Sequence, residues 1–158
     1  MNGAPDFEKL LALLVGHQVK FLVCGGVAVG LNGFVRTTED LDILVSVERQ
    51  NIQNLAETLK EFGQGYGGDL TPEDLPLEPG AVRIMEDDCP LDIFTLLNDK
   101  SYEQLFVQSV ETRVGNPLFP VRHLNRKALW ELKKDSWRDK DRIDAAEMIR
   151  RDEENPPQ

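Results

Sequence analysis

Apolar positions along this chain recur in two rhythms, one helical and one strand-like. Residues 6–16 open Asp6-Phe7-Glu8-Lys9-Leu10-Leu11 and place their apolar side chains at helical spacing, with Asp6 set to cap the first turn. Phe21-Leu22-Val23-Cys24 is a short apolar run ending at Gly25-Gly26, which predicts a buried strand and a sharp turn. Residues 27–31 continue as a short helix stopped at Asn32-Gly33. Residues 40–47 are rich in β-branched side chains and predict a strand. Residues 51–62 form an amphipathic helix with Ile52, Leu55, Leu59 and Phe62 on one face.

The rhythm breaks at residues 63–80, which hold Gly63, Gly65, Gly67, Gly68 and Gly80 together with Pro72, Pro76 and Pro79, an irregular connection. Residues 81–85 and 91–97 read as two strands joined into a hairpin by residues 86–90. Ser101 and Gln104 have capping-box spacing and open a helix to about residue 110. Residues 118–121 are extended and residues 124–134 helical. A last helix covers residues 137–150, with Ile143, Ala146 and Ile149 facing inward. The order α-β-α-β-α-β-β-α-β-α-α predicts an α/β (α+β) chain with a mixed sheet, flanking helices and a helical C-terminal end.

Composition narrows this picture. The chain has 158 residues, 41% hydrophobic and 29% charged, enough for one packed domain and far from a disordered composition. Its net charge of −10 argues against a general binder of nucleic-acid backbone. That charge is uneven: residues 1–112 carry 7 bases against 19 acids, whereas residues 113–151 carry 11 bases against 6 acids. We therefore expect a core over 1–112, a basic helical segment over 113–151 packed on it, and a frayed tail over 152–158. Two cysteines, Cys24 and Cys89, exclude a disulfide scaffold and a cysteine-based zinc site, and read as passive packing residues. His17 and His123 lack ligand spacing. The N-terminus has no signal-peptide pattern and no apolar run is long enough to span a bilayer, so the expected setting is soluble and cytoplasmic.

Three of the 28 acids stand where solvation explains them poorly. Asp40 and Asp42, two apart at the start of an apolar strand, project from one face. Paired this way they repel each other and favour a hard cation such as Mg²⁺, which takes oxygen ligands and keeps positions open for phosphate. Asp92 repeats the pattern inside Leu91-Asp92-Ile93-Phe94, where an ionised carboxylate needs a partner or a metal. If the two strands are neighbours, three carboxylates converge and can hold two cations. Gly25-Gly26, between strand and helix, lets backbone approach a phosphate, or simply makes a tight turn. Gly26-Val27-Ala28-Val29-Gly30 does not match the Gly-x-Gly-x-x-Gly dinucleotide pattern, and the chain has no Gly-Lys-Ser/Thr loop.

Together these parts resemble the nucleotidyltransferase superfamily. Val23-Cys24-Gly25-Gly26-Val27-Ala28, then Gly33-Phe34-Val35-Arg36-Thr37-Thr38-Glu39-Asp40-Leu41-Asp42-Ile43, then Leu91-Asp92-Ile93-Phe94-Thr95, is similar to small bacterial AbiEii-type or minimal nucleotidyltransferases. The similarity resumes at Lys127 and at Lys140-Asp141-Arg142-Ile143-Asp144 and covers roughly residues 7–150. The resemblance implies a Mg²⁺-dependent enzyme that moves an NMP from an NTP to a hydroxyl acceptor and releases pyrophosphate. Gly25 and Gly26 would border the triphosphate. Asp40 and Asp42 would bind metal, and Asp92 would complete the metal site and take the acceptor's proton. Lys127, Arg36, Thr37 and Thr38 would meet phosphate, although Lys127 reads equally as a solvated helix lysine and Arg36 as the partner of a nearby acid. Asp141 and Asp144 share a helix face, with a structural role as open as a catalytic one. The acceptor (small molecule, protein or tRNA), a partner protein and a homo-oligomer all stay open. So does the alternative of a non-catalytic binding module or one member of a toxin–antitoxin pair.

Overall fold

The computed structural model describes residues 6–34, 38–87, 89–134 and 146. It contains α1 (Phe7–Gly16), β1 (Phe21–Cys24), α2 (Gly25–Leu31), β2 (Leu41–Val45), α3 (Arg49–Glu61), β3 (Ala81–Ile84), β4 (Leu91–Phe94), α4 (Tyr102–Leu105), β5 (Ser109–Val114), β6 (Phe119–Leu124) and α5 (Arg126–Lys133). The strands form one mixed sheet in the order β3-β4-β2-β1-β6-β5. The two apolar runs picked out in the sequence, β1 and β2, lie at its centre, where Leu22, Val23, Leu41, Ile43 and Leu44 are wholly buried. β2 pairs antiparallel with β1 and parallel with β4, and β3 pairs antiparallel with β4 at one edge. No helix among the described residues is long and apolar enough to cross a membrane.

Local signals hold at several element ends. The Asp6 side chain accepts a hydrogen bond from the Lys9 amide and caps α1. Ser101 and Gln104 form the reciprocal capping box that opens α4. α2 ends at Asn32, and Gly33 follows with φ +96°, the left-handed stop that glycine permits. Buried Asn51 ties α3 to the sheet: its amide donates to the carbonyls of Ser46 and Lys20, and its oxygen accepts from the Lys20 amide.

Four expectations need correction. The helix from residue 101 stops at Leu105, passes through a 3₁₀ turn at Phe106–Gln108, and becomes strand β5, which pairs antiparallel with β6. Val110, Thr112 and Val114 alternate with polar neighbours, so the segment has the strand period and its pairing with β6 decides the outcome. Asp40 precedes β2, which begins at Leu41. α2 starts at Gly25 itself, directly after β1. Ala146, expected to face inward, is helical but exposed; the rest of the helix expected over 137–150 lies outside the described residues.

The glycine-rich connection is held by a buried acid. Glu86 is 3% exposed, and its two oxygens accept from the backbone amides of Gln64 and Tyr66, each at 2.8 Å. Removing both acceptors leaves two amides without partners. Glu86→Ala is therefore expected to cost about 2–3 kcal/mol in urea unfolding, with the loss confined to stability. Downstream, Asp74, Leu75 and Pro76 line a cavity with Val82 and Ile93. Those two strand residues alternate with Arg83 and Asp92, so this stretch lies on the sheet face opposite Asp92.

Candidate active site

Register builds the site. β2 and β4 run parallel with Asp42 directly opposite Asp92, so the two carboxylates share a face and a level. Antiparallel pairing puts Cys24 opposite Asp42 on one side and Arg83 opposite Asp92 on the other. One row across four strands therefore reads Arg83, Asp92, Asp42, Cys24. Asp40 joins it from the bend before β2, where the Leu41 amide donates to the Pro90 carbonyl at 2.9 Å and fixes the two strand entrances together. One carboxylate oxygen from each of Asp40, Asp42 and Asp92 lies within 4.8 Å of the others.

The electrostatics follow from that crowding. Burial, the charges of Asp40 and Asp92, and a hydrogen bond shared with Asp92 raise the Asp42 carboxyl to about 7, while the positive charge of Lys133 pulls it back down. The same burial pushes the Cys24 thiol well above its ordinary value and the Cys89 thiol up to about 12, and both cysteines are free. They match the passive reading. Arg83 supplies a counter-charge: its guanidinium donates to Asp40 at 3.0 Å and to Asp92 at 3.3 Å.

This donor set fits a hard divalent cation. It offers three oxygen ligands converging within one coordination sphere, and a cation beside Asp42 would relieve both the burial and the repulsion that hold its proton. The raised Asp42 has a consequence for stability. Between its unfolded value of 3.8 and about 7, the unfolded chain releases a proton that the fold retains. Metal-free stability thus falls as pH rises through that window and is level above it. Asp42→Asn should lack this fall and melt roughly 3–6 °C above the wild-type chain at pH 8, with the gap closing near pH 4, as thermal unfolding in chelator can check.

Beside the carboxylates is a cavity of about 290 Å³ lined by Cys24, Gly25, Asp42, Phe94, Leu97, Asn98, Leu129, Leu132 and Lys133. Gly25 has φ +69°, and a Cβ there would lie 2.8 Å from the Asp42 side-chain carbon Cγ, so this glycine lets α2 start against the carboxylate. Lys133, at the end of α5, is 7% exposed. Sequence reasoning missed it, because Lys133-Lys134 looks like a solvated helix end. Its signal was the spacing of four from buried Leu129, which puts it on the inner face.

The other expected residues are spread more widely. Gly26 is half-buried in the first turn of α2, and Thr38 is half-buried before β2. Lys127 is exposed in the first turn of α5 and does not line the cavity. Arg36, Thr37, Asp141 and Asp144 lie outside the described residues. His17 meets Glu61 at 3.2 Å on the surface. His123 is buried, paired with the Thr112 hydroxyl at 2.7 Å, and its burial lowers its proton affinity. His123 stands opposite Val23 in the parallel β1–β6 pair, one residue from Cys24 of the carboxylate row.

No family model and no curated protein matches the sequence. Solved structures do match the fold. The lincosamide antibiotic adenylyltransferase LnuA, bound to lincomycin, superposes with a TM-score of 0.62 at 15% identity, covering 93% of this chain and 98% of its own. The protein TM1012 of Thermotoga maritima, solved as a candidate nucleotidyltransferase, gives 0.55 at 15% identity, covering 91% and 88%. At such identity the likeness carries the architecture: this chain has the nucleotidyltransferase fold.

Proposed function

We propose that the chain is a metal-dependent nucleotidyltransferase that moves an NMP from an NTP to a hydroxyl acceptor. The observation that carries the reading is the register pairing of Asp42 with Asp92, joined by Asp40, beside a cavity lined by Asp42, Gly25 and Lys133. Asp40, Asp42 and Asp92 would hold Mg²⁺. Bound there, the metal supplies the positive charge that offsets the triphosphate and the developing charge at phosphorus.

The residues divide the remaining work. Gly25 lets α2 begin against Asp42 beside the cavity, and Lys133 would offer phosphate oxygens an ammonium from a nearly dry wall, where a charge–charge contact is stronger than in water. Phe94, Leu97, Leu129 and Leu132 exclude water. The acceptor oxygen attacks the α-phosphorus, the bond to the β-phosphate oxygen breaks, and pyrophosphate leaves. Asp92 takes the hydroxyl proton. A small-molecule hydroxyl is the first acceptor to test, because the antibiotic-modifying neighbour LnuA has the same fold over nearly its whole length.

The test is transfer of label from α-labelled NTPs to pooled acceptors (small hydroxyl compounds, proteins and tRNA) with and without Mg²⁺. The expected result is divalent-dependent transfer with pyrophosphate release, lost in the Asp40→Ala, Asp42→Ala double variant. Nucleotide binding without transfer to any pool would instead favour a binding module or one member of a toxin–antitoxin pair.

A further inference from the structure

The carboxylate row already contains a cation. Arg83 stands opposite Asp92 in the ladder, and its fork reaches both Asp92 and Asp40, so it uses lone pairs that a metal shared by those two acids would need. Both contacts are to Oδ2 atoms, and a magnesium ion, which takes its ligand oxygens at about 2.0–2.1 Å, would compete with the guanidinium for those oxygens and repel its charge. Arg83 is also built to leave. It sits on an edge strand and is 46% exposed, against 34% for Asp40 and 15% for Asp92, so its pairs are partly solvated and readily exchanged. Swinging it outward moves no packed element.

We propose that Arg83 is a resident counter-cation which the metal displaces, so that the free protein takes up metal together with its nucleotide, and the released guanidinium passes to a phosphate oxygen. This rests on the metal–nucleotide reading above. Without nucleotide, displacement sets a divalent ion against Arg83 and strands the guanidinium. With nucleotide, the arriving triphosphate gives the planar fork a new anionic partner. Arg83 therefore opposes metal alone and assists metal with nucleotide. It also keeps Asp40 and Asp92 gathered in the metal-free protein, whose three acids would otherwise repel one another.

Mn²⁺ titrations followed by paramagnetic resonance, on wild type, Arg83→Gln and Arg83→Lys, separate these roles. Arg83→Gln should bind Mn²⁺ alone about tenfold tighter than wild type, a difference of about 1.4 kcal/mol. Arg83→Lys keeps the charge but cannot span both acids, and should fall between them. With a non-hydrolysable ATP analogue present, the advantage of Arg83→Gln should vanish or reverse. Equal or weaker Mn²⁺ binding by Arg83→Gln, with both proteins saturable, overturns the inference and leaves the metal site standing. An advantage that survives the analogue undiminished overturns the transfer to phosphate. Failure of both proteins to bind Mn²⁺ with or without nucleotide overturns the metal reading itself. If Arg83→Gln does not fold, Arg83→Lys decides by the same sign.

Discussion

Asp92→Asn is expected to lower nucleotidyl transfer by about three orders of magnitude while nucleotide binding changes only a few-fold. The substitution keeps shape and strand register, and an amide at position 92 can still hydrogen-bond to Asp42. What it loses is the group that accepts the acceptor's proton and one charged metal ligand. Binding would persist because Gly25, Lys133 and the apolar wall of the cavity are untouched. Calorimetry for nucleotide binding and α-label transfer for turnover separate the two quantities. Turnover within a few-fold of wild type would remove Asp92 from the chemistry.

Gly25→Ala is expected to do damage of a different kind. The backbone there has φ +69°, which costs an ordinary residue roughly 1–2 kcal/mol. The added methyl would also press on Asp42, with that residue's own Cβ 2.9 Å away. Asp42 cannot retreat, because β2 is a central strand and its neighbours Leu41 and Ile43 are fully buried. The combined cost should be about 3 kcal/mol in urea unfolding, with transfer reduced at least about a hundredfold by the displaced carboxylate. Gly30→Ala is the matched control. It lies exposed in the same helix with nothing within 4 Å of an added Cβ, and should stabilise by about 0.5–1 kcal/mol. Equal behaviour of the two variants would show that the approach of α2 to Asp42 is not needed.

Much of this was legible in the order of residues. The three acids were visible because each interrupts or adjoins an apolar strand, a placement that solvation explains poorly. Their convergence was conditional on β2 and β4 being neighbours, and pairing between strands fifty residues apart leaves no local trace. Arg83 shows the same limit more sharply. In sequence it is a polar residue in an alternating edge strand, and only its register with Asp92 makes it a partner of the site. β5 was hidden by a strong capping box, a correct helix start that says nothing of where the helix ends. Lys133 was hidden because a lysine at a helix end is usually solvated; here the spacing from Leu129 turns it inward.

The most direct test of the central claim is a crystal structure with Mn²⁺ and a non-hydrolysable NTP, read by the anomalous signal of the metal. The expected result is a peak about 2.1–2.2 Å from oxygens of both Asp42 and Asp92, with Asp40 in reach, Lys133 on phosphate, and Arg83 withdrawn from the carboxylates. Nucleotide bound elsewhere, or bound in the cavity with no metal at these three acids and Arg83 still paired to Asp40 and Asp92, would contradict it.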